Sequence, residues 1–84
     1  MTYWLFFKNN TRVPYENIVK AREAAVASLV NKPVGSQKTI YANQKGKPAG
    51  IVYKDKGDKY RYGTKTKQYG WVSYALYKNG SLNR

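Results

Sequence analysis

The sequence predicts an α+β fold: one helix packed on a largely antiparallel sheet of four to five strands, in the order β-α-β-β-β-β. Three observations predict it. One stretch only, residues 14–31, carries helical periodicity. A short apolar run, residues 3–7, precedes it. From residue 36 onward the chain alternates short strand-like segments with turn residues, and short loops favour antiparallel neighbours. The 84 residues fit a single domain, 1–84, with one modest core.

The first element is YWLFF, residues 3–7, bounded by Lys8 and Asn9-Asn10. Its length fits a strand, not a helix. Tyr3, Leu5 and Phe7 point one way, Trp4 and Phe6 the other. Both faces are apolar, and one helix covers only one of them.

The helix is PYENIVKAREAAVASLVN, residues 14–31. Ile18, Arg22, Ala25 and Leu29 form one stripe, and Val19, Val26 and Val30 the adjacent one. Glu16, Lys20, Glu23 and Ala27 lie opposite, with Glu16 and Lys20 at a favourable i,i+4 spacing. Pro14 suits a first helical turn, whereas Val13 before it is a poor cap. Asn31 and Pro33 mark the end. The helix permits a right-handed crossover from the first strand to the next.

The remaining segments read as strands 38–43, 51–55, 59–64 and 71–78. Between them lie a hairpin loop at 44–50, a glycine turn at 56–58 and a basic loop at 65–70. Asn79-Gly80 is a two-residue hairpin signal that ends the sheet or leads into a stub at Ser81-Leu82.

Chemistry is limited by what is missing. The chain has no cysteine and no histidine, which excludes disulfides, thiolate metal sites and imidazole catalysis. Glu16 and Glu23 stand two helical turns apart, too far to share a metal. Asp55 and Asp58 flank Gly57 as turn residues and offer too few oxygens for a cation loop. KGKPAG lacks the spacing and setting of a phosphate-binding P-loop. The expectation is a non-enzymatic protein with no catalytic residues, no metal and no cofactor.

Charge supplies the positive signal. Sixteen Lys and Arg against four Asp and Glu give a net charge of +12. Residues 35–84 hold eleven of the basic side chains and two of the acidic ones. Such a field concentrates anions. Residues 59–80 interleave five tyrosines and one tryptophan with five cations and no acid.

Strand alternation sorts these side chains. Ile40, Ala42, Val52, Val72 and Leu76 make an aliphatic face for the helix to cover. Tyr41, Ile51, Tyr53, Trp71 and Tyr77 fall on the other face. The segment 59–62 alone reads as tyrosines inward and cations outward, yet Tyr60 and Tyr62 also fit the aromatic face, rimmed by Lys59 and Arg61. Lys45, Lys47, Lys65 and Lys67 stand in loops suited to clamp a polymer at the two ends of that face.

Rings beside cations suit single-stranded nucleic acid or RNA, whose bases stack and whose phosphates attract lysine and arginine. No RNP motif, GXXG loop or zinc knuckle accompanies them. The competing expectation is a protein-interaction module that pairs the aromatic face with a second copy or an acidic protein. Adhesion to an anionic surface is a third. No apolar run reaches the roughly 18 residues of a membrane span. Residues 1–10 do not read as a signal peptide, so a natural start at Met1 implies the cytoplasm.

Overall fold

The computed structural model describes residues 1–83. Its elements are β1 (Tyr3–Phe6), a one-turn 3-10 helix (Lys8–Asn10), β2 (Arg12–Tyr15), α1 (Ile18–Leu29), β3 (Gln37–Tyr41), β4 (Pro48–Lys56), β5 (Lys59–Thr66), β6 (Gly70–Leu76) and β7 (Leu82–Asn83). The α+β class and the antiparallel sheet match the sequence. The strand count does not: among the described residues there are seven strands, ordered β2-β1-β3-β4-β5-β6-β7.

The first extra strand is RVPY, residues 12–15, which the sequence predicts as the approach and first turn of the helix. Asn9 and Asn10, both with φ near +60°, turn the chain back after β1. Asparagine tolerates that left-handed conformation better than most residues. Tyr3, Trp4, Leu5 and Phe6 then pair with Tyr15, Pro14, Val13 and Arg12. Pro14 is accommodated because β2 is the outermost strand, where a missing N–H is tolerated.

The helix therefore starts at Ile18. Asn17 is its N-cap, its side chain accepting from the Lys20 N–H at 2.9 Å. Glu16 lies before the helix, so the expected pair with Lys20 on one helical face is absent. The crossover differs as well. β1 and β3 are antiparallel. Hairpin β1–β2 reverses the chain first, so the crossover through α1 joins β2 to β3 across β1.

The core lies between α1 and one sheet face. Leu5, Ile40, Val52, Tyr60, Tyr62 and Leu76 from the sheet meet Ala21, Ala25, Val26 and Leu29 from the helix. The alanines let the helix approach closely. Arg22 is buried with them, its Nε donating to the Gly80 carbonyl at 2.8 Å and its guanidinium 5.1 Å from the Tyr62 ring centre. Val19 and Val30 lie on the exposed margin, so of that predicted stripe only Val26 is buried. At the other end Lys54 Nζ donates to the carbonyls of Val30 and Lys32, both at 2.9 Å, just past the end of α1.

Tyr60 and Tyr62 require a correction. They are 3% and 5% exposed and sit beneath the helix, not on an aromatic outer face. The cause is one residue. Lys56 pairs with Lys59, and that register continued would set Tyr62 opposite Tyr53. A bulge between Lys54 and Lys56 shifts it, so Tyr62 opposes Val52 and Tyr60 opposes Lys54. A one-residue shift moves a strand's side chains to the opposite face.

Candidate functional site

The sheet face away from α1 carries no second layer among the described residues. Residues directly opposite on neighbouring strands share a face, so the registers list its members. Thr39, Ile51, Gly63 and Ser73 form one cross-strand row. Gln37, Tyr53, Arg61 and Ala75 form the next. Lys65 opposes Trp71.

These rows enclose a shallow groove of about 310 Å³, lined by Gln37, Ile51, Tyr53, Gly63, Trp71 and Ser73, with the main chain at Val72. Gly63 is its floor. A Cβ built there meets nothing closer than 3.9 Å, namely Tyr53 and the Val72 carbonyl. Gly63 has no positive φ. Neither backbone conformation nor packing demands a glycine at this point, in the interior of a strand that it weakens. Gly63 lines the groove together with Tyr53 and Trp71, and the Tyr53 ring reaches to 3.9 Å from its Cβ position. Trp71 is 60% exposed, although it stands within a strand.

Arg61 borders the groove and is held in place. Its Nε and Nη2 donate to Ser73 Oγ at 3.3 and 3.1 Å, which fixes the guanidinium along the face. Lys65 is exposed beside Trp71.

A second aromatic group occupies the same face toward β2. The Phe6 and Tyr41 rings stack with centroids 4.1 Å apart and planes 13° from parallel. The Arg12 guanidinium lies 4.5 Å from the Phe6 ring centre and also donates to the Gln44 carbonyl. Trp4 opposes both Tyr41 and Pro14 on this side.

No protein-family model, curated protein or solved structure matches this chain.

The sequence-predicted residues thus divide. Tyr41, Tyr53, Trp71, Arg61 and Lys65 share the helix-free face. Tyr77 follows β6 directly and is 53% exposed. Lys59 opens β5 at the β4–β5 turn, opposite Lys56. Lys45 and Lys47 lie in the β3–β4 loop, where Asn43 Oδ1 accepts from both of their backbone N–H groups. Lys67 lies in the β5–β6 turn. Alternate turns of an antiparallel meander emerge at the same end, so Lys45, Lys47 and Lys67 gather with Lys65 at one end of the face, not at two, and Lys59 lies at the other end. Tyr60 and Tyr62 are excluded by burial.

Trp4, Phe6, Arg12 and Gly63 belong to this surface as well, beyond the residues that the sequence predicts. Trp4 and Phe6 were legible as the second apolar side of the first strand. Gly63 was legible as a glycine inside a strand pattern. What was missing was β1 as the direct neighbour of β3.

Proposed function

We propose that this protein is a non-enzymatic binder of single-stranded nucleic acid, RNA or DNA, and that the helix-free sheet face receives the strand. One observation carries the reading: a groove lined by Tyr53 and Trp71, with a glycine in its floor that neither backbone nor packing demands, flanked by Arg61 and Lys65. A base entering the groove stacks on the rings, each such contact contributing about 1–3 kcal/mol. Its neighbouring phosphates meet Arg61, Lys65 and the hairpin cations Lys45, Lys47 and Lys67. Phe6 and Tyr41 offer a second stacking position toward β2. The net charge of +12 supports a polyanionic partner. The lack of histidine and cysteine supports binding without catalysis.

The test is an oligonucleotide titration followed by tryptophan fluorescence, using a Trp4→Phe protein so that Trp71 alone reports. The expected result is quenching, with affinity falling steeply between about 50 and 200 mM salt. Gly63→Val fills the groove floor while suiting a strand, and it is expected to weaken binding about tenfold or more. The reading fails if wild type does not bind at low salt. It also fails if Gly63→Val binds as wild type does. Sedimentation as a dimer that buries Trp71 would favour the protein-interaction alternative instead.

A further inference from the structure

A second concave site lies on the helix side of the molecule, at the end of the sheet where β3 begins. It is an open cavity of about 650 Å³. Three lysines from three separate segments line it: Lys8 from the turn after β1, Lys32 just beyond α1, and Lys38 in β3. No carboxylate is among its lining residues. Thr11 and Ser36 add hydroxyls, and Phe7 supplies an apolar wall. Lys38 is the anchored member. Its Nζ donates to the Phe6 carbonyl at 2.7 Å and lies 4.2 Å from the Phe7 ring centre. An ammonium has three N–H groups, so this bond orients it without exhausting it.

Two features prepare the cavity for an anion. The carbonyls of Val30 and Lys32, just past the end of α1, would repel one, but Lys54 already occupies both. Burial, and then the charge of Lys32, hold the Lys38 pKa below its ordinary value. Two cations that disfavour each other gain from an anion placed between them.

We propose that this cavity binds a phosphomonoester group, with Lys8, Lys32 and Lys38 as its ligands. A dianion with three terminal acceptor oxygens matches three lysines around one cavity better than a singly charged phosphodiester, which has only two terminal oxygens. The group can arrive on the end of a nucleic-acid strand or on a free small molecule. Gln37 lines both this cavity and the aromatic groove, so a strand crossing the sheet face has a route to it. Only that strand-end source rests on the function proposed above; the pocket itself does not.

The experiment titrates inorganic phosphate into the full chain at constant ionic strength, followed by backbone amide and lysine side-chain NMR. Shifts are expected to cluster at Lys8, Thr11, Lys32, Ser36 and Lys38, with the Lys38 pKa rising as phosphate binds. Lys8→Gln and Lys32→Gln change exposed side chains and preserve the fold, and each is expected to weaken binding about threefold to tenfold. Lys38→Met removes an anchored group, so its folding is checked first by amide spectra. Shifts spread evenly over all lysines, or unchanged in both Gln variants, overturn the proposal. A second arm compares an oligonucleotide with and without a terminal phosphate. Tighter binding of the phosphorylated strand, by about tenfold, supports the strand end as the source. Equal binding, with inorganic phosphate still held in the pocket, supports a free phosphomonoester. Phosphate binding without any oligonucleotide binding would sink the proposed function and leave the pocket standing.

Discussion

The Tyr62 side chain lies over Gly50 of the adjacent strand, and its hydroxyl occupies the space a Cβ on Gly50 would take. Both residues are buried on the helix side of the sheet. Gly50 is thus fixed by packing, whereas Gly63, on the neighbouring strand and the opposite face, is not. Gly50→Ala is expected to destabilise by about 1–3 kcal/mol through overpacking. Gly63→Ala is expected to be neutral or slightly stabilising. Urea unfolding of the two variants side by side checks the contrast, and equal losses would contradict it.

Gly80 holds the last hairpin against the helix. Its φ is +89°, and an added Cβ would strike the Val19 carbonyl and lie 3.1 Å from the Glu23 amide nitrogen. Gly35 has a similar φ of +96° but open space around it. Gly35→Ala isolates the conformational cost, about 1 kcal/mol. Gly80→Ala adds a backbone clash and should lose at least twice as much. It should also weaken the Arg22 bond to the Gly80 carbonyl, read as faster amide exchange in β7.

The Asn17 cap is separable from the rest of the fold. Asn17→Ala removes the acceptor for the Lys20 N–H and is expected to cost about 1 kcal/mol. Asn17→Asp keeps an acceptor and should retain wild-type stability. Thermal melts of both variants test the assignment.

Alkaline pH should weaken the fold through Tyr62. Burial raises its phenol pKa, the Arg22 charge opposes that rise, and the net direction is upward. The folded protein then keeps a proton that the unfolded chain releases near pH 10. The stability involved is fully present below about pH 10 and is lost as pH climbs through the folded value. Lys38 works in the opposite sense. Its lowered pKa means the unfolded chain binds more protons, so its effect on stability becomes more favourable as pH rises toward about 10.4. Comparing wild type with Tyr62→Phe by urea unfolding from pH 8 upward isolates the phenol. The variant should have the shallower decline, and identical slopes would refute the assignment.

If nucleic acid binds the helix-free face, Lys65→Gln should lower the slope of log affinity against log salt by about 0.7, the value for one single-strand phosphate contact. Lys20→Gln, on the exposed helix, is the matching control and should leave the slope unchanged.

Much of this fold was legible because alternation is a strong signal where one face is buried. Ile40, Val52 and Leu76 reached the core as their spacing implied, and Tyr41, Tyr53 and Trp71 took the other side. Two things were hidden. Pro14 resembles a helix-opening residue and an edge-strand residue equally well, and only pairing with Trp4 decides between them. The placement of Tyr60 and Tyr62 hung on the bulge at Asp55. KYRY alone reads as tyrosines inward, which their burial bears out; what the segment does not record is its register against the opposite strand. Gly63 was visible as an anomaly, but its meaning needed the three-dimensional neighbours Tyr53 and Trp71.

The one-sided placement of α1 has an evolutionary consequence. Folding free energy is concentrated in a single layer of contacts, so substitutions on the bare side of the sheet carry little penalty for the scaffold. If that side receives a ligand as proposed, preference for it can drift or be selected at Gln37, Ile51, Tyr53 and Trp71 while the same backbone persists. Libraries diversified at those four positions should yield mostly folded proteins.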